Sequence, residues 1–206
     1  ETRSASITIN PPRKAVVSIG WAYDDVAPGC VFDSGLGINR MNYSATARTF
    51  VWDSGEDAGT VVKGDSVNFN EDIRVGGATT GDDSGMYPDS VLEKYVRYNG
   101  FPQNTYGHRT ASIHLSPGTY RLRLFCSLNS TYKNSTEFMK VQTVVDGVAN
   151  VFELPDGYDV IGNLTRWLEQ EITVPESGMF ELQWGMENAT KGWMEVPLNI
   201  IEIEET

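Results

Sequence analysis

Phe138-Met139-Lys140-Val141-Gln142-Thr143-Val144-Val145 runs into Asp146-Gly147 and resumes as Val148-Ala149-Asn150-Val151-Phe152-Glu153-Leu154. Both runs are rich in β-branched and aromatic residues, the side chains that fit a pleated, half-buried surface. Asp146-Gly147 supplies the two positive-φ positions of a two-residue hairpin whose twist matches that of its strands. The two runs are therefore predicted to be antiparallel neighbours.

The same signature recurs outward in both directions. Strand-like runs are predicted at Ala15 to Ile19, Arg48 to Trp52, Thr60 to Val67, Ala111 to Leu115, Thr119 to Leu128, Glu171 to Val174, Met179 to Trp184 and Trp193 to Ile203. Ser116-Pro117-Gly118 and Glu176-Ser177-Gly178 turn the chain between them, and Gly35-Leu36-Gly37 reads as a further turn because it lacks the helix that a dinucleotide fingerprint needs. One helical segment is predicted. Ser90-Val91-Leu92-Glu93 has capping-box spacing, and Val91, Leu92, Tyr95 and Val96 share an apolar face before Gly100. Two helical turns are too few for a βαβ crossover, so the fold class is all-β: an antiparallel β-sandwich of the jelly-roll kind. Residues 1–13 read as a linker or extension ahead of Pro11-Pro12, and 14–206 as the sandwich.

The chain has 206 residues, 40% of them hydrophobic and 21% charged, enough apolar surface for one ordinary core. No uncharged apolar run approaches the roughly 18 residues of a membrane span. Sixteen Lys and Arg against 28 Asp and Glu give a formal charge of −12, a field that repels polyphosphate and anionic lipid surfaces. Neither nucleic acid nor a membrane is expected as a partner. Opening on Glu1 without a charged-then-apolar leader, the chain reads as an excised domain or a mature secreted one. Cys30 and Cys126 lack metal or redox spacing. Cys126 keeps phase with Leu122 and Leu124 and is predicted to be a buried free thiol, so no disulfide is assigned.

Chemistry is sparse. Gly64-Asp65-Ser66 matches a short esterase motif, but only His108 and His114 are available as bases, and alternation with Ile113 and Leu115 turns His114 to solvent. The acidic pairs Asp24-Asp25, Glu56-Asp57, Glu71-Asp72 and Asp82-Asp83 read first as solvated loop charge. They fit no EF-hand, although a structural calcium pinning a long loop suits the architecture. The segment from Val67 to Tyr87 reads as such a loop on the sandwich rim. Aromatics carry more: five Trp, nine Tyr and eight Phe. An exposed ring stacks on the C–H face of a sugar while nearby polar groups bond its hydroxyls. Trp52 and Trp184 are predicted in the core, whereas Trp21, Trp167 and Trp193 are equally open to burial and exposure. The candidate ligand residues are Trp21, Tyr23, Asp24, Asp25, Tyr158, Asn163, Trp167 and Trp193. Five Asn-x-Ser/Thr sequons, at Asn42, Asn129, Asn134, Asn163 and Asn188, fit surface loops of a glycosylating host.

Thr80-Gly81-Asp82-Asp83-Ser84-Gly85-Met86-Tyr87-Pro88-Asp89-Ser90-Val91-Leu92, Ile113-His114-Leu115-Ser116-Pro117-Gly118-Thr119-Tyr120-Arg121-Leu122, Phe125-Cys126-Ser127 and the ending Leu198 to Glu204 occur in one order. Together they resemble the accessory β-sandwich, galactose-binding-like carbohydrate-binding modules of secreted bacterial polysaccharide-degrading enzymes. The resemblance implies a non-catalytic, extracellular or cell-surface role in which the module holds polysaccharide or oligosaccharide near an attached catalytic domain. The acid balance favours a neutral glycan. The alternatives are a structural spacer or adhesion β-sandwich, and then an esterase or polysaccharide lyase.

Overall fold

The computed structural model describes residues 11–27, 29–43, 46–64, 73–100, 106–129, 136–190 and 194–206. Two six-stranded sheets stack face to face. The first runs β12 (Leu168–Val174), β9 (Gly118–Phe125), β15 (Ile200–Glu205), β1 (Lys14–Ser18), β3 (Ile38–Met41), β2 (Cys30–Asp33). The second runs β11 (Val148–Val151), β10 (Met139–Val145), β13 (Met179–Met186), β8 (Gly107–Leu115), β5 (Asp57–Lys63), β4 (Arg48–Val51). A three-stranded sheet of β14 (Met194–Leu198), β7 (Lys94–Gly100) and β6 (Ile73–Val75) extends one end. Pairing is antiparallel except between β1 and β3. The hairpin at Asp146-Gly147 forms with both residues at positive φ, 49° and 77°.

Between the sheets lies one core, to which the first contributes Val17, Leu122, Leu124, Ile201 and Ile203, and the second Val61, Ile113, Phe180, Leu182 and Trp184. Trp184 and Trp52 are 0% and 3% exposed. Both thiols are free, with Cys126 fully buried in phase with Leu124; burial pushes Cys126 up to about 12, and pushes Cys30 up to about 11 against the opposing pull of Arg48.

The first sheet is apolar on its other face too. Val16, Ile38, Phe125 and Ile200 point away from the second sheet and meet Val26, Val91 and Leu92 in a separate cluster. Period-2 alternation thus feeds two cores from one sheet.

Three expectations are corrected. The helical segment keeps within the two turns expected, as a single turn over Asp89–Leu92, but its N-cap is Pro88 without a side-chain bond, so the capping box does not form. Tyr95 and Val96 instead enter β7, where pairing with β14 satisfies a backbone that a helix would have served alone. The run from Trp193 to Ile203 is two strands in different sheets, interrupted at Asn199. That residue is 0% exposed. Its amide donates to Leu92 O at 2.9 Å and its oxygen accepts from Ser127 N at 2.7 Å, while its backbone bonds Phe125 O and Ile19 N, so the side chain ties the crossover to two further segments. Within the expected rim loop, residues 65–72 fall outside the description, and Ile73–Val75 is a strand.

Replacing Asn199 by Leu, close in volume, leaves the Ser127 N–H and the Leu92 carbonyl unpaired in the interior. The expected loss is about 2–4 kcal/mol, read as a lower denaturation midpoint at unchanged slope. A midpoint within error of wild type overturns that role.

Candidate ligand-binding surfaces

Trp21 and Trp167 are brought together, as the two indoles of the outer cluster on the first sheet. They are not bare platforms. Trp21 is 7% exposed, its Nε1 donates to Ser18 Oγ at 2.9 Å, and Arg40 Cζ and Lys94 Nζ lie over its ring at 5.2 and 5.5 Å. Trp167, 9% exposed, meets Tyr87 edge-on, donates to Met86 Sδ at 2.9 Å and carries Arg123 Cζ 4.7 Å from its centroid. Cations over indoles gain from the ring quadrupole, and they occupy space that a pyranose would need. Tyr158 is likewise buried, its hydroxyl donating to Cys126 O, and burial pushes its ionisation far upward.

Asn163 is buried and fully used. Its Nδ2 donates to Cys126 O and Arg166 O, and its Oδ1 accepts from Thr165 N and Arg166 N. An amide offers two donors and a carbonyl with two lone pairs, so none remains for a sugar hydroxyl. Asp24 and Asp25 stand exposed on the 3-10 turn Tyr23–Asp25, while the Tyr23 side chain and Trp193 lie outside the described residues. Ser66 lies outside them too. Of the sequons, Asn129 and Asn188 are exposed, Asn42 is buried and donates to Trp21 O, and Asn134 falls outside the description.

The loop ahead of the helical turn spends its carboxylates on itself. Asp89 accepts from Thr80 N, Thr80 Oγ1 and Gly81 N; Asp83 accepts from Asp89 N, and Asp82 from Ser84 N. No group of three or more His, Cys, Asp or Glu able to hold a metal gathers among the described residues. The calcium expectation finds no such site there, and Glu71-Asp72 lie outside them.

Around the buried indoles the first sheet carries a charge ladder. Arg123 on β9 stands opposite Glu202 on β15 and Glu169 on β12, at 2.7 and 3.3 Å; Arg121 pairs with Glu204 one step along, and Lys14 reaches Glu202 at 3.0 Å. Tyr87 OH also donates to Glu202, which is 2% exposed. Desolvation opposes ionisation of Glu202, but the bonds from Lys14 and Arg123 outweigh it and hold the carboxyl below its ordinary value.

The outer face of the second sheet differs. Ladder register sets Thr60, His114 and Met179 in one row, Val62, Ser112, Glu181 and Val144 in the next, and Thr110, Gln183 and Gln142 in a third. Gln142 donates to Gln183 Oε1 at 2.7 Å and Gln183 to Glu181 at 3.0 Å. His114 is exposed, as its alternation predicts. A shallow hollow of about 420 Å³ opens beside this face, lined by Thr49, Asp57, Thr60, His114 and Ser116 over Gly59. Gly59 is required there, because a Cβ would stand 2.0 Å from His114 O. Sequence reasoning overlooked this surface. Alternation shows that Ser112 and His114, or Glu181 and Gln183, share a face, but not which strands lie side by side.

No family model and no curated protein matches the chain. Among solved structures, a cleaved adhesin domain of Lys-gingipain from Porphyromonas gingivalis aligns at 10% identity and a TM-score of 0.35, covering 94% of this chain and 98% of that one. The Endo-D glycoside hydrolase domain from Streptococcus pneumoniae aligns at 11% identity and a TM-score of 0.28, covering 92% of this chain and 27% of that one. Both superpositions are loose, and the β-sandwich assignment rests on the stacked sheets themselves. No helix among the described residues is long and apolar enough to cross a membrane.

Asp89 and Glu202 both titrate below their ordinary values of 3.8 and 4.5; for each, hydrogen bonds outweigh desolvation. Carboxyls depressed in the folded state add stability above their unfolded pKa and lose it as pH falls through the folded one. Thermal stability is therefore expected to be flat from neutrality to about pH 5 and to fall below it. In Asp89→Asn with Glu202→Gln the fall is shallower; an identical acid limb in the double variant overturns the assignment.

Proposed function

We propose that the chain is a non-catalytic, extracellular β-sandwich that binds polysaccharide or oligosaccharide and holds an attached glycan-degrading domain near its substrate. The observation that carries this reading is the outer face of the second sheet. Its Thr60, Ser112, His114 and Gln183 side chains offer donors and acceptors with one carboxylate, Glu181, beside the apolar Val62, Val144 and Met179, while Thr110 and Gln142 in the same rows are buried. A glycan trades hydroxyl hydrogen bonds with such a surface at little desolvation cost, whereas the ion-paired face of the first sheet gives up charge pairing to do so.

A neutral glycan agrees with the charge of −12. Ring stacking by Trp21, Trp167 and Tyr158 has no part in this reading, since they serve the cores. Asp82, Asp89, Glu202 and Glu205 are all displaced downward, so none of these four suits the role of general acid in glycoside cleavage.

Affinity electrophoresis against a panel of neutral plant and algal polysaccharides tests the reading. Retardation by at least one polymer is expected. His114→Ala and Gln183→Ala each weaken it about five-fold, the equivalent of roughly 1 kcal/mol, His114→Ala without changing the melting temperature. Trp21→Ala lowers the melting temperature and leaves retardation of the folded fraction unchanged. No retardation by any polymer, or retardation insensitive to both surface variants, overturns this placement of the site.

A further inference from the structure

Strand β11 is the outermost strand of the second sheet, and all four of its residues are exposed, Val148 and Val151 at 63% and 50%. The two-residue turn makes Val145 and Val148 a hydrogen-bonded pair, and alternation then assigns Asn150 and Phe152 to β10. The bond from Phe152 N to Val141 O, 2.9 Å, agrees. The N–H and C=O groups of Ala149 and Val151 therefore point out of the sheet. Such edges are ordinarily guarded by charge, proline or a bulge, yet Val148-Ala149-Asn150-Val151 carries none of these.

The guards stand at the ends and are all acidic. Asp146 precedes the strand, and Glu153 and Asp156 follow it, all exposed; neither Asp146 nor Glu153 has an ion-pair partner among the described residues. A hollow of about 400 Å³, lined by Phe138, Phe152, Leu154, Glu137 and Glu187 among others, opens at the Val151 end. A second copy fits poorly, because the register that pairs Ala149 with Val151 of the copy sets Glu153 opposite Gly147, beside Asp146, and so gathers acidic side chains at both ends.

We infer that the free edge of β11 captures an extended peptide segment of a partner protein, apolar and β-branched in its centre and basic at its flanks. The segment adds a strand through the outward groups of Ala149 and Val151, seats an apolar side chain in the hollow and sets its cations against Asp146 and Glu153. This binding is independent of any glycan on the sheet face.

The probe is the peptide Lys-Lys-Val-Thr-Val-Thr-Val-Lys, acetylated, amidated and fluorescently labelled, titrated into the full chain. Saturable anisotropy is expected, with slowed hydrogen exchange at the Ala149 and Val151 amides. Ala149→Pro removes an outward donor that the hairpin does not use, and Val151→Lys adds charge to the edge. Each is expected to fold and to weaken capture about ten-fold or more, as does replacing the peptide's lysines by glutamate. Absence of saturable binding overturns the inference, as does capture unchanged in both folded variants. Concentration-dependent dimerisation that protects the same two amides without peptide assigns the edge to a second copy instead.

Discussion

One buried polar junction constrains the rest of the molecule. Where the chain leaves β14 for β15, Asn199 bonds Leu92 O and Ser127 N; Ser127 Oγ in turn donates to Asn163 O and accepts from Ala78 N. Asn163 closes the network on Cys126 O, Arg166 O and two backbone amides. Loops after β6, β9 and β11 thus converge on three side chains at one end of the sandwich. Removing any member leaves others unpaired in an interior where a lone donor or acceptor is expensive, so the loops hold one arrangement over the outer face of the first sheet.

That arrangement decides what each sheet face can do. With the segment from Tyr87 to Leu92 held down, Val91 and Leu92 roof Val16, Ile38 and Ile200, and the two indoles complete the cluster instead of facing water. Around it, the alternation of Glu and Arg on β12, β9 and β15 neutralises the face strand by strand. A ligand there would have to displace ion pairs and lift cations from rings. On the second sheet His114 is exposed and Thr60, Ser112, Glu181 and Gln183 are half-buried, with Thr110 and Gln142 buried beside them. The division between an occupied face and an open one is the physical basis for placing a glycan on the second sheet.

Charge distribution sharpens the contrast at the margins. A strongly acidic chain leaves a four-residue edge strand without charge, and acidic side chains bracket it. The same negative field that turns away polyphosphate favours cationic segments along that edge.

Much of the fold was legible. The Asp146-Gly147 hairpin, the strand runs ending near Leu115 and Val174, the buried Trp52 and Trp184 and the burial of Cys126 follow from turn chemistry and period-2 alternation, both local properties. The β7 strand was not legible, because Tyr95 and Val96 fit a helical face as well as a strand until β14 lies beside them. The site was read poorly for a related reason. Trp21, Trp167 and Asn163 flank turns, as exposed ligand residues do, and nothing in their neighbours announces Arg40, Arg123 or Cys126 O as partners. Sequence by itself determined the all-β class, the tight turns and the charge, since each depends on a few adjacent residues or on composition. Only tertiary structure decided which rings are covered, which amides are spent and which edge is free, since those depend on strand order and on contacts between residues far apart along the chain.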